Sequence, residues 1–181
     1  MGEGWSDAIA IFLTRSGNET RETGDATIAS YAKPTAPNGL RKRPYSTNMT
    51  TSPWTYKELF GWKEPHSSGE LWGLYLNELY WNLVDKLGFS TNWYDSKQPQ
   101  GNIVTLQLIL GGMMLQPCNP TFKMGRDAII EADQVYYNGT YKCDIWKAFA
   151  KRGLGANSYT NADNNTYTDG FQLPGACSDV N

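Results

Sequence analysis

The chain has one imidazole. Of its 181 residues only His66 is a histidine, and no His-Glu-x-x-His segment occurs anywhere. A catalytic zinc takes three protein ligands and keeps one open position, so residues 1–181 alone do not read as a complete zinc centre. Cysteine is also scarce. Cys118, Cys143 and Cys177 are the only three; none lie in C-x-x-C spacing, which argues against a zinc ribbon and for an oxidising compartment. Cys118–Cys143 is the expected bridge, since each precedes an expected helix. Charge of one sign is lacking too: Lys+Arg 16 against Asp+Glu 18 leaves −2. That balance gives no electrostatic reason to expect nucleic acid or an anionic membrane as partner. The longest apolar run, Ile103 to Leu115, is broken by Gly111-Gly112 and too short to span a bilayer. No secretory leader precedes the first motif. A beginning with a leader and a first lobe is therefore expected upstream of Met1.

What is present starts at once. Glu3-Gly4-Trp5-Ser6-Asp7 opens the chain. On a helix Glu3 and Asp7 share one face. One carboxylate there can ligate a metal, while the other accepts the free N–H of a metal-bound imidazole. Gly2 and Gly4 beside Glu3 let a metal or another backbone come close. The plain alternative is an acidic pair favoured by the helix dipole. A glycosidase pair is disfavoured, because side chains four apart point the same way rather than across a bond.

Helical spacing predicts five main helices: Glu3 to Leu13, Ser67 to Leu87, Asn102 to Met114, one after Asn119-Pro120 to Val135, and Asp144 to Arg152. Strand signals are weak, so the fold is expected to be mainly α with long irregular loops. Residues 14–65 are rich in Gly, Pro, Ser and Thr, with a short helix over Ile28 to Ala32. Loops of this length commonly line a site, although residues 15–27 also fit a disordered insertion. Residues 154–181 read as a loosely packed tail, tied by Phe171 and Leu173. Tyr 11 and Trp 7 are many, and core packing accounts for most of them.

His66 falls at the entry to the long second helix. A neutral imidazole there can donate to a developing oxyanion. Arg41, within Arg41-Lys42-Arg43, reads by itself as a solvated cation; its planar fork also suits a substrate carbonyl. Four sequons, at Asn18, Asn48, Asn138 and Asn164, point to a secretory route and to N-glycosylation.

Together these residues resemble the C-terminal half of the fungalysins, secreted fungal zinc metallopeptidases distantly related to thermolysin-like enzymes. The likeness rests on Met1 to Asp7, Arg41 with Pro44 to Asn48, His66 with Gly69 and Trp72, Leu79 to Lys86, Leu115 to Phe122 with Arg126 to Ile129, and Trp146 to Gly155. It implies the helical lobe of a peptidase over residues 1–181. It also implies Glu3 as a zinc ligand, Asp7 orienting a ligand histidine, His66 on the oxyanion, Arg41 on a substrate carbonyl and Leu40 at the specificity pocket. The His-Glu-x-x-His helix with its two ligands and base would belong to a missing N-terminal lobe. The partners implied are that lobe, a peptide or protein substrate and a propeptide. This chain alone is then expected to be inactive, with apolar surface near Trp5 and Ile9 uncovered. No carboxylate stands out to orient His66: Gly61 occupies the expected spacing and Glu64 is a weak substitute. A non-catalytic secreted glycoprotein that uses the old cleft for binding is the alternative.

Overall fold

The fold is mainly helical, as expected. The computed structural model describes residues 1–161, 163 and 166–178. Its helices are α1 (Gly2–Leu13), α2 (Pro65–Leu87), α3 (Gly101–Leu115), α4 (Phe122–Tyr137), α5 (Lys142–Lys151) and a single turn, α6 (Gly175–Ser178). One antiparallel pair, Tyr159–Thr160 with Tyr167–Thr168, is the strand content among the described residues.

α2 is the axis. From Gly69 to Trp81 every residue is buried, because α1, α3 and α5 all pack on it. Its apolar stripe at Trp72, Leu76, Leu79 and Leu83 is one face of a helix covered all round. Phe12 of α1 stacks on Tyr80 with ring centroids 4.5 Å apart, and Trp5 meets Trp72 edge-on at 5.0 Å. Trp5 is thus core, not uncovered surface, and Ile9 packs against the same core. Exposed apolar side chains are found instead at Leu13, the last residue of α1, and at Leu40 and Phe60 in the stretch between α1 and α2.

Glycine sets how close α1 and α2 come. A Cβ on Gly4 would stand 2.2 Å from the Gly69 carbonyl oxygen, and one on Gly69 would stand 2.6 Å from Glu3 Cβ. The small residues beside Glu3 therefore admit another backbone.

The irregular stretch between α1 and α2 is ordered by buried polar anchors. Arg152, fully buried, donates through Nε to Glu78 at 2.9 Å and through Nη1 to the carbonyls of Ser52 and Trp54. Glu70 accepts the backbone N–H of Lys42 and Arg43. Arg21 reaches Asp85 and Asn82, and Arg15 lies buried over Trp81. Residues 15–27 are thus tied to α2 rather than a disordered insertion. The expected helix at Ile28 to Ala32 shrinks to a 3₁₀ turn over Ser30–Ala32.

Helix ends shift by one or two residues from expectation, and two of the shifts have a clear cause. Pro65, not Ser67, starts α2, because Glu64 caps it. Thr121 caps α4 and leaves Pro120 outside. The cysteine pairing differs as well. The disulfide is Cys143–Cys177, and Cys118 is free and exposed. Cys143 lies within the first turn of α5, facing Cys177 of α6, so position ahead of a helix was no guide to proximity. That bond, with the Gly170 N–H donating to the Gly153 carbonyl and the Gly155 N–H donating to the Gly170 carbonyl, holds the tail; Phe171 is exposed. No helix among the described residues is long and apolar enough to cross a membrane.

Candidate metal and substrate site at the α1–α2 crossing

The glycine contact brings the first turn of α1 against the first turn of α2. Glu3 and His66 face each other across it. Glu3 Oε2 lies 3.3 Å from His66 Nε2 and 3.6 Å from Arg41 Nη2. Both Glu3 and His66 keep solvent access, with side chains 42% and 57% exposed.

Behind Glu3 the polar groups are buried and closely paired. Arg41 Nε donates to Asp7 Oδ2 at 2.6 Å, and Nη2 donates to Oδ1 at 2.8 Å. The Tyr45 hydroxyl donates to the same Oδ2 at 2.5 Å. The fork geometry adds direction as well as attraction. Arg41's side chain is only 8% exposed, so the solvated-cation reading fails. Donating to the Asp7 carboxylate raises the Arg41 pKa above its ordinary value. Burial, then the Asp7 carboxylate, pushes the Tyr45 phenol up, so it stays protonated and donates. Tyr45 reaches Asp7 across α2 because Gly73 has no side chain: a Cβ there would stand 2.5 Å from the ring. Glu70, gripping the Lys42 and Arg43 amides, holds the loop that delivers Arg41. Burial raises the Glu70 pKa against those two hydrogen bonds.

Glu64 does two jobs. Its carboxylate accepts the backbone N–H of His66 at 2.9 Å and of Ser67 at 2.7 Å, capping α2. It also contacts His66 Nδ1. The backbone hydrogen bond from His66, then the ring contact, lowers the Glu64 carboxyl to about 2. The residue read as a weak substitute is therefore the one that fixes the imidazole. Gly61 lies at the end of a 3₁₀ turn, Tyr56–Gly61, with no such role.

The site thus gathers Glu3, Asp7, Arg41 and His66 from among the expected residues, with Leu40 beside them, 55% exposed. Sequence reasoning missed Tyr45 and Glu70. Tyr45 lies inside the Pro44-to-Asn48 segment that carries the family likeness. No sequence signal marks Glu70, since a carboxylate amid apolar neighbours shows no partner in one dimension. A cavity of about 330 Å³ opens beside the pair, lined by Met1, Trp62, Ser68, Phe122 and Tyr167.

As a metal site the set is partial. Among the described residues no three His, Cys, Asp or Glu side chains come together to hold an ion. Glu3 offers one carboxylate at the surface, one coordination position of the three a catalytic zinc needs. Asn18, Asn48 and Asn138 are exposed, as glycan acceptors must be; Asn164 lies outside the described residues.

Residues 1–158 match the family of fungalysin metallopeptidases (M36). The chain is 42% identical over 181 residues to extracellular metalloproteinase 2 of Trichophyton tonsurans, covering 98% of this chain and 28% of that protein. Extracellular metalloproteinase 2 of Arthroderma otae is 40% identical over the same shares. Extracellular metalloproteinase 4 of Trichophyton tonsurans is 42% identical over 183 residues, again 28% of its length. The chain thus spans about a quarter of the length of the curated relatives it matches, and by the match over residues 1–158 it belongs to the fungalysin metallopeptidase family.

Proposed function

We propose that residues 1–181 form the helical lobe of a secreted zinc metalloendopeptidase. In this reading Glu3 fills one coordination position of the zinc, and the two histidine ligands and the general base come from a His-Glu-x-x-His helix on another lobe. The observation that carries it is the approach of Glu3 to His66 at 3.3 Å, with Arg41 directly behind. The relatives' names supply the extracellular setting and the proteolytic activity.

Zinc in the intact enzyme would acidify a bound water and polarise the scissile carbonyl. This chain's residues do the rest. His66, steadied at Nδ1 by Glu64, presents Nε2–H to the oxyanion that forms as the carbonyl is attacked. Arg41 spends Nε and Nη2 on Asp7, which leaves Nη1 to donate to a peptide carbonyl. Asp7 Oδ1 accepts a single bond from Arg41 and keeps a lone pair for the N–H of a ligand imidazole. Leu40 borders the pocket for the substrate side chain. A propeptide would cover the same cleft before activation, and Asn18, Asn48, Asn138 and Asn164 would carry glycans.

The test combines this chain with a separately produced lobe bearing His-Glu-x-x-His. Zinc-dependent cleavage of an internally quenched peptide is expected, abolished by chelator and by Glu3→Gln, with neither part active alone. Cleavage that survives Glu3→Gln would overturn the ligand assignment. The second reading, a non-catalytic binding glycoprotein, draws on the lack of a three-ligand group among the described residues. It predicts no cleavage on mixing, and peptide binding by this chain that is indifferent to Glu3→Gln.

A further inference from the structure

A second hollow, about 780 Å³, lies away from the α1–α2 crossing, between the end of α4 and the middle of α3. Tyr136, Tyr137, Tyr141, Leu110 and Val135 form its apolar wall; Gln98 and Gln107 add polar groups. This mixture of aromatic faces with a few amides suits a sugar better than a purely apolar ligand. Leu110, Val135 and Tyr136 are 49%, 63% and 48% exposed, an uncovered patch of the kind that marks a contact surface.

Asn138 directly follows the lining residues Val135, Tyr136 and Tyr137. It ends α4 in the left-handed conformation at φ 53°, and Gly139 continues at φ 75°. The turn is fixed: both Asp133 carboxylate oxygens accept the Tyr141 N–H at 3.1 Å, and the Thr140 hydroxyl donates to the Tyr137 carbonyl at 2.5 Å. Asn138 is exposed and heads the sequon Asn138-Gly139-Thr140. Asn48, by contrast, uses its side-chain oxygen to hold the Thr50 N–H. The Tyr136 ring, two residues before Asn138, packs against α3 by its edge: a Cβ on Gly111 would stand 2.6 Å from Tyr136 Cε2, while nearly half of the residue stays in solvent.

We propose that Asn138 carries an N-linked glycan whose first N-acetylglucosamine packs on Tyr136 and roofs this hollow. Attachment joins Asn138 Nδ2 to the anomeric carbon of a lipid-diphosphate-linked oligosaccharide. The C1–O bond to the diphosphate breaks, the diphosphate keeps that electron pair, and Nδ2 releases one proton. The glycan then covers Leu110 and Val135 with its apolar ring face while its hydroxyls reach water. The modification is thus a structural lid on α3 and α4, independent of the peptidase site.

The chain, secreted from a fungal host, provides the test. Mass spectrometry is expected to find Asn138 occupied. Enzymatic removal of the glycan is expected to lower Tm by about 2–4 °C, whereas trimming to one N-acetylglucosamine keeps most of that. In Tyr136→Leu the same removal is expected to change Tm by less than half as much. Nitration of Tyr136, which needs no variant, is expected to rise several-fold on deglycosylation. An unmodified Asn138, an equal Tm loss in Tyr136→Leu, or unchanged Tyr136 nitration would each overturn the proposal.

Discussion

The two sides of the α1–α2 crossing are built on opposite plans. On one side Asp7, Arg41 and Tyr45 are buried, and the Asp7 carboxylate receives three hydrogen bonds. On the other, Glu3, His66 and Glu64 are about half exposed and in contact chiefly with one another. The difference separates holding from reacting. A buried, paired charge resists displacement because any movement strands it without solvent. An exposed imidazole and carboxylate keep water and lone pairs within reach, as a ligand or a proton donor must.

The largest effect is expected from breaking the buried side. Asp7→Ala strands the Arg41 guanidinium, whose side chain is 8% exposed, and frees the Tyr45 hydroxyl inside the core. A loss of about 3–5 kcal/mol is expected in urea unfolding. A loss below 1 kcal/mol would mean that Arg41 relaxes to solvent, and the contrast between the two sides would dissolve.

Next comes the contact that brings the sides together. Gly69→Ala puts a methyl 2.6 Å from Glu3 Cβ and 2.9 Å from Gly4 N. Backbone must give way, at about 1–3 kcal/mol. The Glu3–His66 spacing should widen too, so peptide cleavage in the reassembled enzyme should fall beyond what the lost stability explains. Gly2→Ala, with nothing within 4 Å of its Cβ, is the matched control and should be near neutral.

Much of this plan was legible in sequence, and the gaps share a cause. Periodicity located α1 to α5 to within two or three residues, since an amphipathic stripe records which face is buried. Glu3 and the lone His66 marked the exposed side and the Glu3–Asp7 spacing one member of the buried side, because rare residue types in tight spacing stand out. The buried side was hidden. Arg41 beside Lys42 and Arg43 looks like any solvated cluster until Asp7 and Tyr45 are placed near it, 34 and 4 residues away along the chain. The cysteine pairing failed for the same reason, since Cys143 and Cys177 lie 34 residues apart. Long-range partners leave no local periodicity.

A smaller, pH-dependent effect sharpens the exposed side. The Glu64 carboxyl sits at about 2, below its ordinary 4.5. A lowered folded value means the unfolded state binds the proton more readily. The contribution of Glu64 is therefore complete above about pH 4.5 and disappears as pH falls through about 2. Glu64→Gln should flatten that limb of a Tm-against-pH curve by lowering the neutral plateau toward the acid value, with little change below about pH 2. An unaltered acid limb would show that the Glu64 cap and its contact to His66 do not persist in solution.

The smallest effect on stability is expected from the residue with the largest part in the proposed chemistry. His66 is 57% exposed and touches Glu3 and Glu64 only at the surface. His66→Ala should therefore shift unfolding by no more than about 0.5 kcal/mol. In the reassembled enzyme, loss of an oxyanion donor should lower kcat by about 10²–10³-fold, with KM little altered because the donor acts on charge that develops only in the transition state. Asp7→Asn makes the opposite case: the fork to Arg41 is weakened and stability falls, and in the proposed enzyme activity should fall only as far as the ligand imidazole assigned to Asp7 loses its orientation. If His66→Ala instead destabilised the chain as much as Asp7→Ala does, the imidazole would be a structural member, and the division between a holding side and a reacting side would be wrong.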